Sequence, residues 1–294
     1  MSLNASGKQQ TGYMKFLLIV FSVLSLSACS SLISSAKKDF AEDLSATILS
    51  HDDPETIRQA IPAYLVLVDS MIRGDQNNIG LLVSGSRLYG SYASEFVDET
   101  ARRITLSERA FKYAEHAMCL QSSKACDAKA MPYLQFEQVL KQFREEDAPV
   151  LFAYGAAWAG LIQANSEDWN AVAELPKAKA AIQRVLELDE TISNGDAYVY
   201  MGVMESLLPP AMGGKPELAK EHFEQALMTS NRQNTMALLL YAEKYARLLF
   251  DRELHDQLLN ELIEGDTSQS DSALIDAIAK AKARELLDNA DDYF

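Results

Sequence analysis

The segment LAKEHFEQAL, residues 218–227, decides the fold. Ala219, Phe223 and Ala226 recur at helical spacing on one face, and charged and amide side chains occupy the other. A small residue, a large residue four positions on and a small residue three positions later are typical of the second helix of a tetratricopeptide repeat. Alanine lets the two helices of such a hairpin approach closely. The segment therefore predicts a helical hairpin protein.

The same spacing recurs in two earlier segments, and a glycine within a helix precedes each of the three by 17 to 20 residues. These glycines are predicted to lie where the first helix of each hairpin crosses the second. The turns between the helices are longer than in a standard repeat, so the repeats are degenerate. The predicted packing residues are Gly90, Ala110, Ala114, Ala117, Gly160, Ala178, Gly202, Ala219, Phe223 and Ala226.

The rest of the chain agrees with an all-α fold, because no stretch alternates convincingly with period two. The chain has 294 residues, 48% of them hydrophobic, with only 13 Gly and 8 Pro. We expect hairpins stacked into a compact superhelical bundle, with room for a central pore. The predicted helices cover 53–74, 77–97, 105–120, 136–144, 148–164, 176–188, 196–207, 216–229, 235–250, 251–264 and 271–289.

The Gly213-Gly214-Lys215 tripeptide invites comparison with a phosphate-binding loop. Such a loop needs four residues between two glycines, then Lys and Ser or Thr, after a buried strand. Here the glycines are adjacent, Pro216 follows the lysine, and the preceding segment is helical. Pro and acid in the next turn instead predict a helix start. Residues 209–214 are therefore predicted to form an enlarged hairpin turn.

The N-terminus carries a secretory signal: one lysine, an apolar run over 16–26, and small residues before Cys29. Leu26-Ser27-Ala28-Cys29 matches the lipobox of bacterial lipoproteins, which predicts cleavage before Cys29 and a palmitate-type lipid on its thiol. The alternative is an ordinary secretory signal with an incidental cysteine. Ser30 after the cysteine favours the outer membrane over the inner one.

The predicted domain organisation follows from this signal. Residues 1–28 form the signal peptide, within which 1–13 is an N-terminal extension. Residues 29–52 form a lipidated tether with a short helix, and 53–294 form the helical-repeat domain. Removal of 1–28 takes away two lysines and no acid, which lowers the net charge from −15 to −17. Such a surface repels nucleic acid and anionic headgroups, so nucleic acid is excluded as a partner and the lipid is the membrane attachment.

Cys119 and Cys126 remain in the exported part of the chain, in an oxidising compartment. Along a continuous helix their Cα atoms would lie about 10 Å apart, beyond the reach of a disulfide. A disulfide therefore requires the helix to end near residues 121–123, which have good turn chemistry. Two buried free thiols are the alternative. No histidine has ligand spacing to the pair, so no metal site is predicted.

Catalytic signatures are absent from the sequence, so an enzyme is not predicted and no cofactor is expected. The segment 151–162 is apolar on nearly every face, so it is buried all round or lines a cavity. Tyr154, Trp158 and the nearby Trp169 are the candidate ligand- or pore-lining residues. Their alternative role is as core aromatics.

Specific strings along the chain resemble the T component (TatT) of TRAP transporters, a family of periplasmic lipoproteins with tetratricopeptide-like hairpins. The resemblance covers nearly the whole mature chain, and the order of the strings is preserved. They are AIPAYLVLVDSMI (60–72), GSRLYGSYASEFV (85–97), ERAFKYAEHAMC (108–119), AAWAGLI (156–162), DWNAVAELPKAKAAIQRVLELDE (168–190), MGGKPELAKEHFEQAL (212–227), YAEKYARLLFDRELHDQLLNEL (241–262) and AKARELLDNADDYF (281–294).

This resemblance implies a role in transport. It implies pairing with the periplasmic solute-binding protein of a TRAP-type importer, and helices around a central pore that passes or holds a hydrophobic or carboxylate-bearing small molecule. It adds weight to the anchor at Cys29 and makes the apolar helix over 151–162 a candidate channel wall. The family offers no catalytic residues to carry over. A structural adaptor lipoprotein without a small ligand is the alternative function, and the oligomeric state, a homo-oligomer included, stays open.

Overall fold

Helices and turns make up all the regular structure that can be described in this protein. The computed structural model describes residues 43–44, 46–267 and 272–294. Within those ranges no strand occurs. The prediction of an all-α fold is therefore confirmed.

The chain divides into two compact units at Leu44, and every helix named below belongs to the second unit, Ser45–Phe294. The predicted signal peptide, Cys29 and most of the predicted tether lie outside the described residues. The α-helices of the second unit are α1 (Pro54–Gly74), α2 (Ile79–Phe96), α3 (Thr100–Gln121), α4 (Tyr133–Leu140), α5 (Ala148–Ala164), α6 (Trp169–Val172), α7 (Leu175–Leu188), α8 (Ile192–Ser206), α9 (Pro216–Thr229), α10 (Thr235–Leu240), α11 (Arg252–Glu264), α12 (Ala273–Asp288) and α13 (Ala290–Tyr293).

Side-chain caps fix several helix starts. The Asp53 carboxylate accepts a hydrogen bond from the backbone N–H of Glu55 and so caps the start of α1. The Glu99 carboxylate accepts hydrogen bonds from the backbone N–H groups of the second and third helical residues. Helix α3 consequently begins at Thr100, five residues before the predicted start at Thr105. Glutamate is an uncommon N-cap, which explains why the sequence pattern missed this one.

The helices pack as consecutive hairpins. Helix α2 packs against α3, α5 against α7, and α8 against α9. The first helices of these hairpins also contact each other in sequence, α2 with α5 and α5 with α8. Helix α8 next contacts α10 and the segment that continues it, and α12 contacts α1. The first helices of the hairpins therefore form a connected inner layer, and the second unit closes on itself where α12 meets α1.

Close crossings occur where the first helix of a hairpin lacks a side chain. A Cβ atom on Gly202 would lie 2.9 Å from three ring atoms of Phe223, and one on Gly90 would lie 3.8 Å from the Cβ of Ala110. Phe223 is fully buried, and Ala110 is 1% exposed. The structure thus places Gly202 at a close crossing with Phe223, whereas Gly90 makes only an ordinary contact with Ala110. The other predicted packing alanines, Ala114, Ala117, Ala178, Ala219 and Ala226, are all fully buried.

In the middle hairpin, formed by α5 and α7, the sequence predicted the helix crossing at Gly160, and that prediction is wrong. A Cβ atom on Gly160 would meet nothing within 4 Å. The crossing lies instead at Gly155, where a Cβ atom would fall 2.6 Å from Cδ1 of Ile182 and 3.4 Å from the Cβ of Ala181. The short helix α6 lengthens the connection between α5 and α7. The crossing glycine therefore lies further from Ala178 along the chain than the 17 to 20 residues that the sequence analysis assumed, and Gly160 lies about one helical turn beyond it.

The stretch 209–214 forms a turn, as predicted. Pro210–Met212 is a single 3-10 turn, and Gly213 has a φ of 95°, which favours glycine. A Cβ atom on Gly214 would collide with the carbonyl oxygen of Leu208, so only glycine fits there. Lys215 is the N-cap residue of α9. Both glycines therefore serve the turn geometry.

A disulfide joins Cys119 in the last turn of α3 to Cys126, and their Cα atoms are 4.3 Å apart. Helix α3 ends at Gln121, and a 3-10 turn over Ser123–Ala125 reverses the chain. The helix thus ends where the sequence analysis required it to end for a bond to form.

The glycine crossings lead to a direct stability test. Gly202→Ala should lower the free energy of unfolding by about 1–3 kcal/mol, because the added methyl group overpacks against Phe223. Gly160→Ala is the matched control. It should raise the free energy of unfolding by about 0.5–1 kcal/mol, because it has open space and alanine favours the helix. Urea unfolding followed by circular dichroism measures both. Equal effects of the two substitutions would contradict the assigned crossings.

Candidate functional site

Two of the predicted lining aromatics lie in the core. Tyr154 and Trp158 are both fully buried. Their rings lie 5.3 and 5.5 Å from that of Phe111, which belongs to α3. The Trp158 Nε1–H donates a 2.8 Å hydrogen bond to Glu174. These contacts are those of core aromatics that join α5 to the second helices of the hairpins.

Trp169 is placed differently. It is the first residue of the short helix α6, and its side chain is 64% exposed. No aromatic ring of the described residues contacts it. The structure therefore brings Tyr154 and Trp158 together, with ring centroids 5.4 Å apart, and leaves Trp169 out of their cluster.

Helix α5 opens to solvent at only two positions between 150 and 162. These are Ala156 and Gly160, which are partly exposed, whereas the other side chains of that stretch are buried. The two residues lie one helical turn apart on one face, and Phe152 lies one turn before them. The open face of α5 is therefore lined by small residues and one phenylalanine.

Helices α8 and α2 flank this open face. The ring of Phe152 packs edge-on against that of Tyr200 in α8, with centroids 5.6 Å apart. Tyr200 in turn interacts electrostatically with Arg87 and Glu95 of α2 and with Asp196 of α8. We use the name inner recess for the space bounded by six residues of these three helices, namely Arg87, Glu95, Ala156, Gly160, Asp196 and Tyr200.

Burial shifts the pKa values of the charges of the inner recess although water reaches all three side chains. Arg87 is exposed, and Glu95 and Asp196 are partly exposed. Even so, desolvation lowers the pKa of Arg87 and raises the pKa values of Glu95 and Asp196. A group on an open convex surface would not be desolvated in this way. Neighbouring protein atoms therefore screen these charges from part of the solvent.

The fourth inner element is not the regular helix that the sequence predicted. Residues Tyr241–Ala246 are π-helical, and they continue α10. The extra residue per turn is a local insertion of a kind that is frequent at functional sites. This segment brings Glu243 and Lys244 near Glu95. The side chains of Glu243 and Lys244 form an ion pair with an N–O distance of 3.3 Å. Repulsion by Glu243 adds to the desolvation that raises the pKa of Glu95.

A left-handed turn sets the start of α8. Ser193, Asn194 and Gly195 all have positive φ, so the regular helix begins at Asp196, as the sequence predicted. The side-chain amide of Asn234 donates to the carbonyl oxygen of Asn194 at 3.2 Å and to Oδ1 of Asp196 at 2.9 Å. These two hydrogen bonds fasten the first turn of α8, and with it one charge of the inner recess, to the start of α10.

Sequence reasoning missed the charges of the inner recess, although one signal pointed to them. Helix α2 reads IGLLVSGSRLYGSYASEF, and its only two charged residues are Arg87 and Glu95. Both belong to the inner recess. A charge in an otherwise uncharged helix of the inner layer is a better marker of a site here than the aromatic residues of α5.

Two other depressions in the described surface have less suitable linings. One, of about 380 Å³, is lined by Pro149 and three acids, Glu145, Glu146 and Asp189. The other, of about 610 Å³, lies beside residues 265–267 and α12 and is lined mainly by polar side chains. Ligand sites usually combine apolar walls with a few converging polar groups. The inner recess meets that description better than either depression.

No group of three or more His, Cys, Asp or Glu side chains in 43–44, 46–267 and 272–294 could hold a metal ion. No helix described in the structure is long and apolar enough to cross a bilayer.

Comparison with known families covers the same part of the chain as the helices. A family model described as TRAP transporter T-component matches residues 50–294. That range spans α1 to α13 and contains every residue of the inner recess. No curated protein matches the chain.

The raised pKa of Glu95 predicts a pH-dependent stability effect. Glutamate in the unfolded chain ionises near 4.5, and Glu95 in the folded protein ionises at higher pH. The ionised side chain therefore destabilises the folded state above the folded pKa, and this destabilisation is absent below pH 4.5. Glu95→Gln should raise the free energy of unfolding at pH 7.5, with the gain disappearing as the pH falls towards 4.

Glu108→Gln, on the exposed face of α3, is the matched control and should give little gain at either pH. Urea unfolding at a series of pH values measures both variants. A gain for Glu95→Gln that stays the same between pH 4 and pH 7.5 would contradict the desolvated placement of Glu95.

Proposed function

The chain belongs to the TRAP transporter T-component family, and from this premise we propose that it is a periplasmic accessory protein that docks the solute-binding subunit of a TRAP-type transport system. The family match over residues 50–294 is the observation that carries the proposal. The family is a transporter component and not an enzyme class. We therefore propose roles in transport for the helical layers and for the inner recess.

Docking is the first part of the proposal. Stacked helical hairpins offer broad surfaces to a protein partner. The predicted net charge of −17 after signal cleavage favours a partner surface with basic groups. The family role supports the solute-binding subunit of the transport system as that partner.

Lipid attachment at Cys29 is the second part. A lipidated cysteine would hold the protein on a membrane facing the periplasm, the outer membrane being favoured by Ser30. Confinement to a surface raises the effective concentration of the docked partner without any new contact. The charge of the chain gives a reason for using lipid, because an acidic surface does not adhere to anionic headgroups.

Ligand holding in the inner recess is the third part. Desolvated charges beside small and aromatic side chains form the kind of lining that small-molecule sites use. The inner recess therefore supports a protein that holds or passes a small ligand, as a channel wall would. Tyr154 and Trp158 would support such a wall from behind, because both are fully buried.

A structural adaptor without a ligand is the second candidate. The burial of Tyr154 and Trp158 favours it, because the aromatic stacking surface expected from the sequence is unavailable to a ligand. A thermal-shift screen of carboxylates and hydrophobic small molecules separates the two candidates. Stabilisation by at least one compound supports ligand holding, and no stabilisation by any compound supports the adaptor.

The docking proposal predicts a specific cross-linked partner. Cross-linking in intact cells, followed by purification of the full-length protein from solubilised membranes, should recover a TRAP solute-binding protein as a major species. An unrelated lipoprotein of the same envelope is the control and should not recover it. Repeated absence of any solute-binding protein among the cross-linked species would refute docking.

The lipid-anchor proposal predicts palmitate at one cysteine. Cells grown with labelled palmitate should incorporate it into the wild-type protein, and Cys29→Ser should abolish incorporation because the thiol is the attachment atom. The double substitution Cys119→Ala and Cys126→Ala is the control and should keep the label. Label retained after Cys29→Ser would show that lipid attaches elsewhere.

A further inference from the structure

A short segment after α3 is held in place by a disulfide. We use the name strap for residues 122–131, which follow the end of α3 and contain two 3-10 turns, Ser123–Ala125 and Ala128–Ala130. Within the strap, Cys126 is joined to Cys119 of α3. Both cysteines are partly exposed. The disulfide therefore restrains the strap at a point that solvent reaches.

The strap covers part of the aromatic cluster formed by Phe111, Tyr154 and Trp158. The ammonium group of Lys129 lies over the ring of Phe111, 5.2 Å from its centroid. The same ammonium group forms an ion pair with Oε2 of Glu174 at 3.1 Å. That oxygen also accepts the hydrogen bond from Nε1 of Trp158. Lys129 thus connects the strap to one ring of the cluster and to the hydrogen-bond acceptor of another.

Apart from the disulfide, the strap is held by polar contacts and small side chains. Lys177 donates a 2.7 Å hydrogen bond to the carbonyl oxygen of Lys129. In the ion pair of Lys129 with Glu174 the side chains remain 35% and 31% exposed, and partly exposed pairs add little stability. The buried side chains of the strap are those of Ala125 and Ala128, which remove little apolar area from water. The covalent bond is therefore the strongest restraint on the strap.

One group of the aromatic cluster is unfavourable while the strap is closed. The hydroxyl of Tyr154 is buried and has no hydrogen-bond partner among the described residues. Such a group opposes folding, because its hydrogen bonds to water are lost and not replaced. The ring of Phe111, which Lys129 covers, lies 5.3 Å from that of Tyr154. Water admitted at Phe111 would therefore come close to the unsatisfied hydroxyl.

The strap lies behind the open face of α5. Trp158 lies two positions after Ala156 and two positions before Gly160, and residues two positions apart on a helix point in nearly opposite directions. The strap contacts the aromatic cluster through Lys129, so it lies on the side of α5 away from those two small residues. Its release would remove support from the back of α5.

We propose that the Cys119–Cys126 disulfide is a redox switch, and that its reduction by a dithiol releases the strap and opens the aromatic cluster to water while the helical hairpins stay folded. A thiolate of the dithiol attacks one sulfur, forms a mixed disulfide and releases the thiolate of the other cysteine. The second thiol of the reductant then attacks the mixed disulfide. The reductant leaves as a disulfide, and its two protons end on the thiols of Cys119 and Cys126. The switch requires neither a docked partner nor a ligand, so its test is independent of the proposed function.

The fluorescence of Trp158 reports the state of the strap. The chain has two tryptophans, and Trp169→Phe removes the exposed one, so the emission of this variant comes from Trp158 alone. Acrylamide quenching of the full-length variant in detergent is measured before and after reduction with dithiothreitol, a small dithiol. The quenching constant should rise at least about twofold, because local opening exposes the ring to the quencher. Far-ultraviolet circular dichroism should stay unchanged.

Substitutions in the same Trp169→Phe background locate the effect in the strap. Cys119→Ala combined with Cys126→Ala removes the disulfide and should show the high quenching constant without any reductant. Lys129→Met keeps the disulfide and should raise the quenching constant by less than reduction does, because it removes only the ion pair and the cover over Phe111. Lys141→Met, at an exposed position after α4, is the matched control and should leave the constant unchanged.

Three results would overturn the proposal. The first is a disulfide that dithiothreitol reduces only after the protein has unfolded, as measured by alkylation of the new thiols and mass spectrometry. The second is complete reduction that leaves the quenching of Trp158 unchanged, because the strap would then not control the cluster. The third is loss of helical circular dichroism on reduction, which would make the disulfide a structural restraint of the whole fold. This third readout needs only reduced wild-type protein, so it applies even where the double alanine variant does not fold.

Discussion

The close approach of paired helices is the constraint on which the rest of the structure depends. At Gly202 the ring of Phe223 occupies the space where a side chain would begin, and at Gly85 the side chains of Ile72 and Val68 do so. Residues two positions apart on a helix point in nearly opposite directions. Packing at Gly202 therefore turns Tyr200 away from α9, and packing at Gly85 turns Arg87 away from α1. The absence of two side chains thus orients Tyr200 and Arg87.

Helix α2 of the inner layer keeps two charged residues, Arg87 and Glu95. A helix such as α2 would be easier to stabilise without Arg87 and Glu95, because desolvated charges without tight pairing oppose folding. The chain keeps both, and it adds a π-helical segment that brings Glu243 and Lys244 to the same region. Perturbed groups of this kind cluster at binding sites more often than elsewhere. These charges support the proposed ligand-holding role of the inner recess.

Local sequence patterns predicted the hairpins, because the buried face of a helix and the turn that follows it are determined by residues within one or two helical turns. Ala219, Phe223 and Ala226 needed only helical spacing to be placed on a buried face, and Gly213-Gly214 needed only turn chemistry. Gly160 was misplaced because the crossing depends on the length of the intervening chain, which α6 alters. The charges of the inner recess could not be predicted from spacing, because their meeting depends on how α2, α5 and α8 stack. The π-helical segment leaves no signature in composition, since it adds one residue to an ordinary amphipathic pattern.

The proposed inner recess requires Gly160 to face an enclosed space that water still reaches. Thiol labelling under native conditions tests it most directly, with Gly160→Cys compared against Ala114→Cys in the core and Met228→Cys on the surface, which are fully buried and 68% exposed in the wild type. Gly160→Cys should react with a small methanethiosulfonate and not with a maleimide on a bulky polymer, whereas Met228→Cys should react with both and Ala114→Cys with neither until unfolding. Reaction of Gly160→Cys with both reagents, or with neither, would contradict an inner recess.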